Sequence, residues 1–137
     1  MLVSVVICSY NRAAYIGGAL DSLYQQTATL ADFEVIVVDN NSTDGTDQVF
    51  EKWRAAHPDG SFYYTTETQQ GASFARNKGA QLAKGAWLCF MDDDAIATPE
   101  YIQNILRHTQ EHPDVLGFGG KIIPKYIPAE PKWMSYY

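Results

Sequence analysis

The chain has 137 residues, of which 46% are hydrophobic and 13% aromatic, so it is a folded domain with a real core and not a disordered tail. Its formal net charge of −6 argues against a nucleic-acid binder that works by neutralising phosphates. Any phosphate-bearing ligand must then be met by a metal ion or a local positive spot.

Leu2 to Cys8 is a β-branched, almost wholly apolar run and reads as a first buried strand. It stops at the polar turn Ser9-Tyr10-Asn11-Arg12. A helix is expected over Ala13 to Gln25, where Tyr15, Ile16, Ala19, Leu20, Leu23 and Tyr24 recur at three-to-four spacing. Glu34 to Val38 is the second strand, ending at Asp39. The turn-forming run Asn40 to Thr46 leads into a helix reaching about Ala56, and His57-Pro58-Asp59-Gly60 breaks it. Ser61 to Thr65 is a shorter third strand. After the polar loop Glu67 to Gly71, a helix runs to Lys84, with Gly85 expected as its C′ residue.

Ala86 to Met91 is the fourth strand. Its unbroken apolar character predicts burial on both faces, and it runs into Asp92, Asp93 and Asp94. Thr98-Pro99-Glu100 reads as N-cap, N1 proline and first-turn acid of a helix ending near His112-Pro113. Val115 to Phe118 is expected to be a fifth short strand. From Lys121 the chain is Pro-rich and aromatic without a clear period.

Strand and helix alternate throughout, the pattern of an α/β fold with a doubly wound, mostly parallel sheet and helices on both faces. Right-handed crossovers bring the ends of strands one, two and four to one rim. There the segments 9–12, 39–44 and 92–94 meet, where open α/β sheets bind ligands. Two cysteines, Cys8 and Cys89, lie in apolar runs and read as small, buried, reduced side chains. Neither a signal peptide nor a membrane-spanning run is evident, so a cytoplasmic protein is expected.

Asp39 ends a strand and offers an acceptor to a base N–H or a ribose hydroxyl; the plain alternative is that it caps its own turn. Arg76 lies in the early turns of its helix, where the macrodipole disfavours a cation, so it is expected to face an anion, either a phosphate or one of the chain's own acids. Asp92 and Asp94 form an acid-x-acid pair able to hold Mg²⁺ or Mn²⁺ whose other ligands are waters and phosphate oxygens, although a charge run is often only a solvated turn. His108 and His112 have the spacing of a metal pair but no evident third ligand.

Four segments together, Val3 to Arg12, Val35 to Thr46, Gly71 to Gly79 and Phe90 to Asp94, resemble the family 2 inverting glycosyltransferases of the GT-A fold. The match extends to about Pro124. The resemblance implies a nucleotide-diphospho-sugar donor and a Mg²⁺ or Mn²⁺ ion. By it, Ser9, Tyr10 and Arg12 line the nucleoside pocket, and Asp39 contacts the base. Arg76 lies near the diphosphate, Asp92 near ribose and metal, and Asp94 is a metal ligand. A base N–H on Asp39 fits uracil or thymine, and guanine stays open.

Residues 1–120 are thus expected to form the donor-binding domain and 121–137 the start of a truncated acceptor-side segment. The acceptor, a saccharide, lipid or protein, is left open. The general base of such enzymes is expected downstream of Tyr137; Glu130 is the one acid in 121–137, in a stretch with no matching motif. Self-association through the apolar tail is a consequent expectation. A non-catalytic nucleotide-binding module is the main alternative. A phosphotransferase with an aspartate nucleophile fits less well, because the first strand ends in Ser-Tyr-Asn-Arg and not in acids.

Overall fold

The computed structural model describes residues 2–126. Strands β1 (Val3–Ser9), β2 (Phe33–Asp39), β3 (Ser61–Thr66) and β4 (Trp87–Asp92) form one sheet in the order β3-β2-β1-β4. All pairings are parallel. The helices are α1 (Ile16–Tyr24), α2 (Thr46–Ala56), α3 (Ala72–Leu82) and α4 (Tyr101–Glu111). The chain winds outward from β1 to β3, then returns through α3 to place β4 on the other side of β1. The expected doubly wound α/β sheet is therefore present, with its switch point between β1 and β4.

Period-two alternation sorts the side chains. Val3, Val5 and Ile7 of β1 and Phe33, Val35 and Val37 of β2 face a larger core built with α1, α2 and α4. Tyr24, Trp53 and Phe62 pack there edge-on or tilted at 4.9–6.1 Å between centroids, the geometry aromatic pairs favour. Val6, Ile36 and Val38 face the opposite layer and meet Ala75 of α3. The central strands are apolar on both faces because both faces are covered.

Three expectations need correction. Among the described residues β4 is an edge strand: Leu88 and Phe90 on the α3 side are 41% and 47% exposed, because α3 sits over β1 and β2. Its apolar run therefore does not mark two covered faces. Val115 to Phe118 forms no strand; Leu116 is fully exposed, and Phe118 instead packs on Trp87 and His108. Gly85 is not the C′ residue of α3, which ends at Leu82 with Ala83 as C-cap. Gly85 is needed for close approach, since a Cβ there would stand 2.7 Å from the Ser4 nitrogen. Its N–H donates to Ser4 Oγ, which donates to buried Glu34.

Helix starts shift as well. The chain stays in a turn through 13–15, where Tyr15 and Ile16 N–H groups both donate to the Arg12 carbonyl. The last helix begins one turn after Thr98, whose carbonyl accepts from Tyr101 N–H. Among the described residues no helix is long and apolar enough to cross a membrane.

Candidate functional site

The carboxyl ends of β1, β2 and β4 lie side by side, with Ser9 paired to Asp39 and Cys8 to Asp92 in register. The expected meeting of the three polar segments is realised, and hydrogen bonds join them.

The β1–α1 and β2–α2 loops are zipped together. Asn11 adopts φ 53° and Asn41 φ 69°, left-handed conformations that asparagine tolerates better than most residues. Asn11 N–H donates to Ser42 Oγ at 2.8 Å, and Thr43 N–H donates back to Asn11 Oδ1 at 2.8 Å. Asp44 accepts from Ala13 N–H, Thr46 N–H and Thr46 Oγ1. The Thr46 hydroxyl and the Ala13 amide hold the Asp44 carboxyl below its ordinary value.

Asp39 is 5% exposed, and the plain alternative for it is realised. It caps its own turn, accepting from Ser42 N–H at 3.1 Å and from Ser42 Oγ on Oδ1. On Oδ2 it accepts from Tyr64 Oη at 2.7 Å. Burial, then the bond to Asp39, pushes the Tyr64 hydroxyl well above the usual tyrosine range, so it stays a donor. Asn40 is a strut: its Nδ2 donates to the carbonyls of Glu67 and Gln69, and its Oδ1 accepts from Gly71 N–H at 2.7 Å. Gly71, at φ 140°, then opens α3 from a conformation that side chains rarely adopt.

The acidic turn splits. Asp92 and Asp94 are exposed, and Asp93 turns inward at 8% exposure. Ser9 Oγ donates to Asp93 Oδ2 at 2.8 Å, and Arg12 Nε lies 3.8 Å from its Oδ1. Burial pushes the Asp93 carboxyl up, with Ser9 and Arg12 pulling it back. Arg12 also lies over the Tyr15 ring at 5.6 Å, and Tyr10 is half exposed.

Arg76 stands in the second turn of α3 and is exposed. Among the described residues it makes no ion pair, so the sequence-level alternative of a bridge to Asp92 or Asp94 is not formed. Arg76 and Asp92 instead line one concavity with Cys8 and Phe90, at the switch point between β1 and β4. A second concavity beside it is lined by Ser9, Tyr10, Asn40 and Gly71. Burial pushes the Cys8 thiol up between these groups, so it stays a thiol.

The donor chemistry suits a hard divalent cation that keeps waters. Among the described residues no three His, Cys, Asp or Glu side chains converge on one point, and Asp92 and Asp94 offer two outward carboxylates. Two carboxylates completed by substrate phosphates fit Mg²⁺ or Mn²⁺ better than an all-protein cage would. His108 and His112 pack ring to ring at 4.5 Å, with Phe118 against His108, and belong to no such group. Glu130 lies outside the described residues.

Tyr64, Asn40 and Asp93 were not singled out by the sequence pattern. Their roles depend on pairings across 25 to 84 residues, which no local spacing encodes.

The profile described as Glycosyl transferase family 2 matches residues 4–134. A validoxylamine A glucosyltransferase of Streptomyces hygroscopicus is 39% identical over 105 residues, covering 77% of this chain and 25% of the relative. A glucosyl-dolichyl phosphate glucuronosyltransferase of Haloferax volcanii is 30% identical over 135 residues, covering 97% of this chain and 42% of the relative. Among solved structures, the mannosyltransferase PcManGT of Pyrobaculum calidifontis, in complex with GDP-Man and Mn²⁺, superposes with a TM-score of 0.75 at 32% identity, covering 78% of this chain and 32% of that one. Residues 1–349 of S. aureus TarS in complex with UDP-GlcNAc give 0.74 at 29% identity, covering 91% and 37%. The chain thus spans between about a quarter and two-fifths of the length of the curated relatives named here.

Proposed function

The chain belongs to glycosyl transferase family 2, and from that premise we propose that it is the donor-binding portion of an inverting glycosyltransferase that uses a nucleotide-diphospho-sugar, a UDP-sugar being favoured. The observation that carries this reading is Arg76, exposed and in no ion pair among the described residues, sharing a crevice with Asp92 at the switch point of the sheet.

In this reading Ser9, Tyr10 and Arg12 line the nucleoside pocket and Asp39 accepts from the base. Arg76 sits beside the diphosphate and offsets its charge in a chain whose net charge is −6. Asp92 lies near the ribose, and with Asp94 it would hold Mg²⁺ or Mn²⁺. When bound, that ion supplies Lewis-acid stabilisation of the diphosphate leaving group. The PcManGT complex with Mn²⁺ and the TarS complex with UDP-GlcNAc support the ligand class. Inward Asp93 fixes the turn to Ser9, so its two neighbours point outward together.

In this reading the acceptor is a saccharide, lipid or protein, and none of the donor-site residues is its general base. Ile122 and Ile123, 87% and 74% exposed, support self-association through 121–137; a strictly monomeric sedimentation profile at high concentration contradicts it.

Thermal unfolding with UDP and Mn²⁺ tests the donor site. At a hundredfold excess over Kd, binding to the native state alone stabilises by about 2.7 kcal/mol. The expected result is a rise in Tm that EDTA removes. A folded protein whose Tm ignores every nucleotide overturns the reading.

A further inference from the structure

The two solved structures just compared hold different bases, guanine in GDP-Man and uracil in UDP-GlcNAc, at nearly equal TM-scores. Likeness of fold therefore leaves the base open, and the surroundings of Asp39 carry the discrimination.

A carboxylate offers about four acceptor positions, two on each oxygen. On Asp39, Oδ1 takes both Ser42 N–H and Ser42 Oγ and is full. Oδ2 takes Tyr64 Oη at 2.7 Å and has one position left. With the residue 5% exposed, at most one partner can reach that position. The Tyr64 ring is itself fixed, packed on Phe50 at 5.2 Å between centroids. Asp39 can thus accept at most one further hydrogen bond, on one oxygen.

Uracil and thymine present one donor, N3–H, between two carbonyl acceptors. Guanine presents two adjacent donors, N1–H and the N2 amino group, which ask for two acceptor positions. We propose that Tyr64 is a specificity-determining residue: its hydroxyl, with Ser42, leaves Asp39 a single acceptor and so selects a uracil or thymine nucleotide over a guanine nucleotide. This rests on the reading of Asp39 as the base acceptor. Tyr64 acts through Asp39, and its burial keeps the hydroxyl protonated and donating.

The test is calorimetric titration of UDP, dTDP and GDP with Mn²⁺ on the wild type and on Tyr64→Phe, which keeps the ring on Phe50. The wild type is expected to prefer UDP and dTDP over GDP by about tenfold or more, the effect of one unmet hydrogen bond to a charged group. Tyr64→Phe opens a second position on Oδ2 and is expected to narrow that ratio by about tenfold. UDP binding intact with an unchanged ratio overturns the role of Tyr64 and leaves the donor site standing. A wild type that binds GDP as tightly as UDP overturns it likewise. Failure of the folded wild type to bind any of the three overturns both the donor site and this selection.

Discussion

Asn40→Ala removes one side chain and releases a whole loop. The amide is 4% exposed and makes three hydrogen bonds, to Glu67 O at 3.0 Å, Gln69 O at 2.8 Å and from Gly71 N–H at 2.7 Å. At about 1 kcal/mol net for each bond, the expected loss is about 3 kcal/mol, a large fraction of a domain's marginal stability. With a urea dependence of about 2 kcal/mol per molar, the unfolding midpoint falls by about 1.5 M. Asn40→Asp should cost at least as much. It keeps an acceptor for Gly71 but sets a carboxylate against two carbonyl oxygens. Because residues 67–71 feed directly into α3, nucleotide affinity should fall with stability. Urea unfolding followed by tryptophan fluorescence reads the first effect, and a midpoint shift below about 0.3 M for either variant refutes the strut.

Gly79→Ala should destabilise by about 1–2 kcal/mol: a Cβ there stands 2.3 Å from Val6 Cγ1, an overpacking that outweighs the roughly 1 kcal/mol gained in helix propensity. Urea unfolding checks it, and a stabilised variant would mean that α3 does not press on β1. For Asp44 the folded pKa is lowered, so its contribution is present above 3.8 and is lost as pH falls below that value through the folded pKa. Asp44→Asn should therefore flatten the acid limb of the stability curve. Parallel acid limbs in the two proteins would show that the carboxylate's bonds to Thr46 and Ala13 do not favour its ionised form.

Much of the fold was legible because periodicity and topology are local and rule-bound. The apolar runs of β1 and β2 gave their strands, the alternation of elements gave a parallel sheet, and the handedness of crossovers brought segments 9–12, 39–44 and 92–94 to one rim. β4 misled because Leu88 and Phe90 are apolar yet uncovered, and a sequence run reports hydrophobicity without saying what lies above it. Gly85 misled because a glycine after a helix has two uses, a C′ turn and a close approach to a neighbouring strand. Within the site, the outer residues Arg76, Asp92 and Asp94 were visible as charges out of place. The inner shell was not. Tyr64 on Asp39, Asn40 on the 67–71 loop and Asp93 on Ser9 are each defined by what the side chain meets across the sheet.

The central claim is a metal-assisted site for a nucleotide diphosphate at the ends of β1, β2 and β4. The most direct measurement is calorimetric titration of UDP, with and without Mn²⁺, on the wild type and on Asp94→Ala. Asp94 is exposed, so its loss should leave the fold intact. The account predicts Mn²⁺-dependent binding by the wild type that weakens by about tenfold or more in Asp94→Ala, at least the loss that follows removal of a group merely supporting a metal ligand. UDP binding indifferent to both Mn²⁺ and Asp94, or none in the folded wild type, would contradict it.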